Sequence, residues 1–274
     1  MTTSLTQFQI DAYQRDGILF PFRALSESEA AEALRKFEQA REEGYLNREQ
    51  NLKSHMLAPW LDEIARHPAI LDAVEGVIGP NILCWGSGFF AKKPRNDSFV
   101  SWHQDSTYWD LSSPEVVTAW VAFTPSTPEN GNMQVVPGTH TRDQVPHRDT
   151  FAPNNMLSRG QEVAVEVDPQ DVLDVTLAPG EFSLHHVRIF HGSEGNRSDI
   201  SRIGYAIRYI PTHVRQLGGR TTASLVRGVD DYHYFDEEPQ PTADFSAEAL
   251  AAHDEAMSRL ASILMRDAPT KIAM

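Results

Sequence analysis

The hydrophobic residues change their spacing about a third of the way along the chain. Up to residue 80 they recur every three or four positions, as on one face of a helix. One such stripe follows a capping-box sequence at Ser26 and Glu29. Another starts just after Pro68, which suits a first helical turn, and ends at Gly79. These patterns predict a mainly helical N-terminal part.

From residue 81 to residue 211 the apolar runs become short. They alternate with turn residues, as in the segments MQVVPGTH, EFSLHHVRIFHG and RIGYAIRYIP. Repeated short strands of this kind are typical of a β-sandwich or a barrel-like pair of sheets. Residues 141–170 are polar and carry few strand signals, which indicates a long loop. A loop of that length inside a compact domain commonly has a function.

Beyond the β core the pattern weakens until a final helix begins at Ser246. The polar and aromatic stretch from Asp230 to Tyr234 is interpreted either as a cover over a site or as a solvated surface. Neither an internal repeat nor a linker divides the chain. We therefore predict a single domain over residues 1–274, with a helical part (1–80), a β core (81–211) and a C-terminal lid and helix (212–274).

Composition narrows the class of protein. The chain has 274 residues, of which 41% are hydrophobic and 23% charged, as in ordinary globular proteins. A net charge of −14 without a dense Lys/Arg cluster argues against nucleic-acid binding and favours a small neutral, zwitterionic or cationic substrate. With no apolar run long enough to cross a membrane and no signal-peptide pattern, we expect a cytoplasmic location. The single cysteine, Cys84, agrees with a reducing compartment.

The segment SWHQDSTYWDL places His103 and Asp105 two residues apart. In a strand both side chains point to the same face. An imidazole and a carboxylate so placed can supply two ligands of a 2-His-1-carboxylate site for Fe(II). The same spacing also fits an ordinary strand with polar residues on one side. A metal site needs a second histidine from elsewhere in the chain.

Three histidines in the segment LHHVRIFHG are candidates for that ligand. His191 is preferred because the apolar positions and the following Gly192 place it at a strand end, where its side chain can reach inward. His185 and His186 are the alternatives, and for His186 a hydrogen-bonded core imidazole is expected. Surface or capping roles are expected for the histidines in helical or loop contexts, which are His55, His67, His140, His147, His213, His233 and His253.

A candidate carboxylate clamp follows the same segment. Arg202 falls on the next predicted strand, where its guanidinium can hold a carboxylate through paired hydrogen bonds. Ser193 can add a hydroxyl donor. A metal beside such a clamp suits a 2-oxo acid cosubstrate, whose 2-oxo end chelates iron and whose distal carboxylate needs a cation. Arg208 shares the strand face of Arg202 and is interpreted either as part of a structural ion pair or as a substrate anchor.

The motifs WHQD, NGNMQVVPGTH and HGSEGNRSDISR, in this order, resemble those of the phytanoyl-CoA dioxygenase family of Fe(II)- and 2-oxoglutarate-dependent oxygenases. The resemblance runs from about residue 13 to about residue 211. It implies a mainly β fold with flanking helices, a cupin-like jelly roll called the double-stranded β-helix. It also implies two sets of site residues: His103, Asp105 and His191 as Fe(II) ligands, and Arg202, Ser193 and Trp120 around 2-oxoglutarate.

The resemblance implies that the protein hydroxylates an aliphatic carbon of a small molecule with O2, converting 2-oxoglutarate to succinate and CO2. Related halogenases carry a small residue in place of the carboxylate ligand, so Asp105 favours hydroxylation. Two alternatives stay open: a halogenase or desaturase of the same chemistry, and a non-redox, cupin-like metal-binding protein or isomerase. The identity of the substrate and the oligomeric state are not indicated by the sequence.

For several residues near the candidate ligands the sequence does not require a catalytic role. Gln104 is expected to be structural, and Lys92 is expected to be a solvated lysine like its neighbour Lys93. Tyr108 and Trp109 are interpreted either as a cavity wall or as core residues.

Overall fold

The computed structural model describes residues 4–47, 52–157 and 160–264. Within them the α-helices are α1 (Gln7–Asp16), α2 (Glu27–Glu42), α3 (Pro59–Ala65), α4 (Pro68–Ile78) and α5 (Ala247–Leu264). The strands are β1 (Ile18–Arg23), β2 (Ile82–Lys92), β3 (Val100–His103), β4 (Val117–Ala122), β5 (Met133–Val136), β6 (His147–Asp149), β7 (Gln161–Val163), β8 (Leu173–Val175), β9 (Glu181–His186), β10 (Phe190–Ser193), β11 (Arg202–Pro211), β12 (Thr222–Arg227) and β13 (Asp236–Glu237).

The predicted helices form where the sequence signals lie. Ser26 caps α2, because its Oγ accepts a hydrogen bond from Glu29 N at 3.2 Å while the Glu29 carboxylate accepts one from Ser26 N at 2.7 Å. Helix α4 has Pro68 in its first turn and ends at Gly79, whose φ of 86° favours glycine. Helix α5 follows Ser246, as predicted.

A large and a small sheet enclose a common apolar core, and this confirms the predicted jelly roll. The large sheet has the strand order β1-β9-β4-β11-β2-β12-β13, and the small sheet has the order β3-β10-β5-β8. Side chains of both sheets meet between them, among them Trp120, Met133, Val135 and Ala206. Helices α2, α3 and α4 pack on the other face of the large sheet.

Strand β11 shows how this arrangement sorts side chains. Along a strand successive side chains point to opposite faces. Ile203, Tyr205 and Ile207 therefore pack in the cluster that contains the helices. The alternate positions of the strand point between the two sheets, and among these are Arg202 and Arg208, both buried. Strand β11 thus places two cationic side chains in the interior.

Two parts of the chain differ from the prediction. The N-terminal part contains strand β1, which pairs with β9 at the edge of the large sheet. Its apolar run ILFPF is too short for periodicity to distinguish a strand from a helix. The long polar loop predicted over residues 141–170 contains the hairpin β6–β7, whose strands have only three residues each. In strands this short and only half-buried, the alternation of polar and apolar residues is too brief to be recognised in the sequence.

The segment predicted as a lid includes sheet residues, because β12 pairs with β2. A buried polar cluster connects the chain beyond β12 with the segment that precedes α3. Lys53 Nζ lies 2.6 Å from Glu238 Oε1, and His55 Nε2 lies 2.7 Å from Glu238 Oε2. All three side chains are buried, so the surface role expected for His55 is wrong.

Among the described helices, none is both long and apolar enough to cross a membrane.

Candidate functional site

The small sheet brings together the two histidines and the carboxylate that the sequence singled out. His103 is the last residue of β3, and His191 on β10 is its direct antiparallel partner. Asp105 lies in the 3-10 turn that follows β3 rather than in the strand itself. The expectation that His103 and Asp105 share a strand face is therefore wrong, because the strand ends at His103. The turn nevertheless carries the carboxylate back toward both imidazoles.

The three donor groups are close enough to share one ion. Asp105 Oδ1 lies 3.3 Å from His103 Nε2 and 3.9 Å from His191 Nε2, and all three donor atoms lie within 4.8 Å of one another. Of the parts of the chain that the structure describes, this is the one group of three or more such side chains with that proximity. Both histidines are buried, and the carboxylate is almost so.

Hydrogen bonds orient both imidazoles for metal binding. His103 Nδ1 lies 2.9 Å from Ser101 O, and His191 Nδ1 lies 3.0 Å from Ile189 O. A carbonyl oxygen only accepts, so each Nδ1 carries a proton, and each Nε2 is the ring nitrogen turned toward Asp105. Burial holds the pKa of His191 well below its ordinary value, which keeps that ring neutral. Two imidazoles that present Nε2 and one carboxylate fit an Fe(II) site.

The protonation state of Asp105 agrees with a role as a metal ligand. Burial alone would raise the pKa of this carboxyl, but the contact with His103, the adjacent His191 ring and the positive charge of Arg208 outweigh it. The pKa of Asp105 is thus held below its ordinary value, and the side chain is a carboxylate at neutral pH.

The other two candidate histidines lie outside this group. The His185 ring centroid is 5.1 Å from that of His191, and burial lowers the pKa of His185 to about 4. His186 Nδ1 accepts a hydrogen bond from Arg188 N at 3.0 Å, which agrees with the core role expected for it. Of the three candidates, the structure places His191 with His103 and Asp105.

The predicted carboxylate clamp lies in the same interior. Arg202 begins β11 and is only 2% exposed, with its guanidinium carbon 5.3 Å from the centroid of the Trp120 ring. Its Nε has no hydrogen-bond partner among the residues described. Burial lowers the pKa of Arg202 to about 10, so the side chain remains a cation at neutral pH. A buried cation without a paired anion is costly, and a bound carboxylate would offset that cost.

Trp120 reaches its position because residue 204 is a glycine. A Cβ atom built at Gly204 would lie 1.9 Å from Trp120 Cζ2, so any larger residue would displace the indole ring from under Arg202. This close approach explains a glycine in the middle of a buried strand.

Lys92 is a residue of the site whose role the sequence did not reveal. It is 1% exposed, so the expectation of a solvated lysine is wrong. Its Nζ donates to Ser193 Oγ at 2.7 Å and also contacts the carbonyl oxygens of Gly131 and Glu194. Burial and the adjacent charge of Arg202, its partner across the strand pair, lower the pKa of Lys92 to about 6. When a bound carboxylate beside Arg202 keeps Lys92 protonated, its three N–H groups serve all three acceptors and the Ser193 hydroxyl hydrogen is free to point at that ligand.

We expect Lys92→Met to weaken 2-oxoglutarate binding by about 2- to 10-fold, because Ser193 loses the donor that orients its hydroxyl. The buried carbonyls of Gly131 and Glu194 also lose a donor, so the free energy of unfolding should fall by about 1–3 kcal/mol. Anaerobic titration and chemical denaturation measure the two effects. Lys93→Met is the matched control, because Lys93 is exposed. Equal behaviour of the two variants would contradict this role.

The three candidate ligands line a cavity between the sheets. This inner cavity is a narrow space of about 40 Å³, and its lining also includes Trp120, Ser193, Arg202, Arg208, Thr118 and His185. A separate groove of about 390 Å³ is lined by Ser106 and Thr107, which follow Asp105 in the chain. Trp109 lines this groove, and its ring centroid lies 4.9 Å from that of Trp85. The Tyr108 side chain lies outside the described residues.

Gln104 connects the site to the long segment that follows β5. Its side-chain Nε2 donates to Arg188 O at 3.0 Å, and its Oε1 accepts from Val145 N at 2.9 Å. Its backbone N–H donates to His147 Nε2 at 3.0 Å. The structural role expected for Gln104 is confirmed, and His147 gains a role that its loop context did not indicate.

Comparison with known proteins gives the following relatives. Residues 4–204 match the family described as "Phytanoyl-CoA dioxygenase (PhyH)". A protein of Stutzerimonas stutzeri named a probable alpha-ketoglutarate-dependent hypophosphite dioxygenase is 30% identical over 158 residues, 56% of this chain and 54% of that protein. The chain spans about half the length of the curated relatives it matches.

Solved structures resemble the chain over nearly its whole length. The apo form of ThoJ, described as a non-heme monooxygenase, is 34% identical with a TM-score of 0.85, over 94% of this chain and 97% of that chain. A complex of ThoJ with nickel is 31% identical with a TM-score of 0.80, over 94% of this chain and 98% of that chain.

Proposed function

This chain belongs to the phytanoyl-CoA dioxygenase family, and on that premise we propose that it is an Fe(II)- and 2-oxoglutarate-dependent oxygenase that hydroxylates an aliphatic carbon of a small molecule. One observation carries the proposal. A group of two imidazoles and one carboxylate lines the same cavity as a buried arginine, Arg202, whose Nε has no hydrogen-bond partner among the described residues. A metal-chelating 2-oxo acid with a second carboxylate satisfies both features at once.

His103, Asp105 and His191 are proposed to hold the iron, through the two Nε2 atoms and a carboxylate oxygen. With three protein ligands, a bound iron would still be able to take the cosubstrate and O2. When bound, the metal and 2-oxoglutarate supply the oxidising chemistry, with succinate and CO2 as products. The hydrogen bonds from Nδ1 to backbone carbonyls fix both rings before the metal arrives.

Arg202, Ser193 and Trp120 are proposed to hold the distal carboxylate of 2-oxoglutarate. The guanidinium supplies charge-assisted hydrogen bonds, and the Ser193 hydroxyl supplies another. Trp120 lies against Arg202 and limits the positions that its guanidinium can take. The surrounding apolar walls, including Phe90 and Met133, exclude water and so strengthen these charge interactions.

We expect Asp105→Ala to lower 2-oxoglutarate turnover by at least about 100-fold, because loss of a direct ligand should exceed the 10–100-fold effect of an outer partner. Some binding of iron and 2-oxoglutarate should persist through the two imidazoles, because the related halogenases work with a small residue in place of this carboxylate. Succinate formation and metal content, measured on the same preparation, separate these effects. Asp105→Glu keeps a carboxylate and should retain more iron than the alanine variant. Near-normal turnover in Asp105→Ala would exclude the carboxylate as a ligand.

Anaerobic spectroscopy tests the proposed cofactor chemistry. Adding 2-oxoglutarate to the Fe(II)-loaded protein without O2 should produce a weak visible charge-transfer band, since both oxygens of the 2-oxo acid end bind the metal. A non-redox metal-binding protein or isomerase would bind iron without this band. The product mass then separates hydroxylation from halogenation or desaturation.

A further inference from the structure

The turn that carries Asp105 lies outside the strand pairing that positions the two imidazoles. Strand β3 ends at His103, and Asp105 begins the 3-10 turn that follows. The Asp105 carboxylate lies 3.3 Å from His103 Nε2 and 3.9 Å from His191 Nε2. Both of these nitrogens are candidate metal ligands, so neither can hold the carboxylate once a metal is bound. The position of the carboxylate therefore depends on what holds the turn.

His147 holds the residue between His103 and Asp105. The backbone N–H of Gln104 donates to His147 Nε2 at 3.0 Å. The other ring nitrogen, Nδ1, lies 2.8 Å from Val145 O, so Nδ1 carries the proton and Nε2 is the acceptor. The imidazole of His147 thus fixes the peptide group that joins His103 to Gln104.

Gln144 holds the two residues that follow Asp105. Its side-chain Nε2 donates to Thr107 Oγ1 at 2.7 Å, and its Oε1 accepts a hydrogen bond from Ser106 Oγ. The Thr107 hydroxyl in turn donates to Gln104 O at 2.8 Å. Each donor meets an acceptor in this set, so the contacts form one connected network around the turn.

One short segment, residues 144–147, therefore grips the chain on both sides of Asp105. Its last residue begins β6, which pairs with β7 and anchors the segment in a hairpin. A further bond comes from Val145 N to Gln104 Oε1 at 2.9 Å. The two candidate histidines, by contrast, are set opposite each other by the pairing of β3 with β10. Loss of the segment's contacts should displace the carboxylate more than the imidazoles.

We propose that His147 and Gln144 are positioning residues, which hold the turn so that the Asp105 carboxylate can share an ion with His103 and His191. This inference rests on the proposed function. Functional sites need their groups held to within about 0.5 Å. Groups that orient a ligand without touching the metal typically contribute about 10–100-fold in metal affinity. The effect of both residues on the metal passes through Asp105.

The test measures Co(II) binding, because Co(II) takes nitrogen and oxygen ligands as Fe(II) does and its visible absorption reports the ligand set. Co(II) is titrated anaerobically into the metal-free full chain with an excess of 2-oxoglutarate, whose chelating oxygens keep weak variants measurable. His147→Ala should weaken Co(II) binding by about 10- to 100-fold. Its Co(II) spectrum should shift toward that of Asp105→Ala.

Three further variants complete the series. Gln144→Ala loses uncharged hydrogen bonds and should weaken Co(II) binding by about 2- to 10-fold. His147→Gln keeps an acceptor and should recover part of the affinity. Arg148→Ala is the matched control, because Arg148 is the exposed neighbour of His147 on β6, and it should bind Co(II) as the wild type does.

Combination with Asp105→Ala separates a positioning role from general support of the fold. If His147 acts through Asp105, His147→Ala should change the Co(II) affinity of the Asp105→Ala protein by less than about 2-fold. The same holds for Gln144→Ala, which keeps the test available if His147→Ala does not fold, because the Gln144 side chain is exposed.

Two results would overturn the inference. One is wild-type Co(II) affinity in both His147→Ala and Gln144→Ala, and the other is equal weakening with and without the Asp105 carboxylate. Failure of the proposed function gives a different result, because Asp105→Ala alone would then bind Co(II) as tightly as the wild type. That result would refute the metal site and, with it, the role of the two positioning residues.

Discussion

Replacing His191 with alanine is expected to remove bound iron and 2-oxoglutarate turnover together. The variant keeps only His103 and Asp105, and two ligands hold Fe(II) poorly. Outer-shell partners of metal ligands are worth about 10–100-fold in affinity, so the loss of a direct ligand should exceed about 100-fold. Metal analysis after gel filtration and succinate formation on the same sample measure the two losses.

A matched control comes from the same segment. His186 is hydrogen-bonded to the backbone of Arg188 and lies outside the candidate group, so His186→Ala should keep its iron. His185 is the rival, because its ring lies 5.1 Å from that of His191. Full iron and turnover in His191→Ala, with loss of both in His185→Ala, would show that the wrong histidine was assigned.

The second large effect is expected for Arg202→Met, which should weaken 2-oxoglutarate binding by about 10- to 100-fold. A hydrogen bond to a charged group contributes about 1.5–3 kcal/mol, and each 1.4 kcal/mol is about a factor of ten. Iron content should stay normal, because Arg202 is proposed to contact only the distal carboxylate. Pyruvate lacks that carboxylate, so its weak affinity should change little between the two proteins.

Anaerobic titration of both 2-oxo acids into wild type and variant gives the comparison. Arg95→Met serves as the control, because Arg95 is exposed and pairs with Asp199 at 2.7 Å on the surface. Equal 2-oxoglutarate affinity in wild type and Arg202→Met would remove Arg202 from the cosubstrate site. It would leave the proposed metal ligands unaffected.

Local signals predicted much of this structure. The capping box at Ser26 and the glycine at residue 79 mark helix ends because they act on backbone groups within one turn. The combined motifs also predicted the group of His103, Asp105 and His191 that the fold brings together. The strand pairing that sets His191 opposite His103 depends on contacts between distant parts of the chain, which spacing alone does not give.

Features that depend on distant partners were missed. Lys92 resembles Lys93 in sequence, but Lys92 is the last residue of β2 and reaches inward to Ser193, whereas Lys93 follows the strand and is exposed. A surface position was expected for His55 because its partner, Glu238, lies far along the chain and local sequence does not indicate the contact. Strand β1 forms because a strand of the large sheet is available to pair with it, and not because of a strong pattern of its own.

The central claim is that this site reduces O2 with electrons from 2-oxoglutarate, and it can be tested before the substrate is known. The purified protein is incubated with Fe(II), 2-oxoglutarate, ¹⁸O₂ and ascorbate, which supplies the two electrons that a substrate would otherwise give, and the succinate formed is analysed by mass spectrometry. The account predicts succinate that carries one ¹⁸O atom, together with CO2, and predicts neither in His191→Ala. Absence of succinate, or succinate without label, from iron-loaded wild-type protein would contradict it.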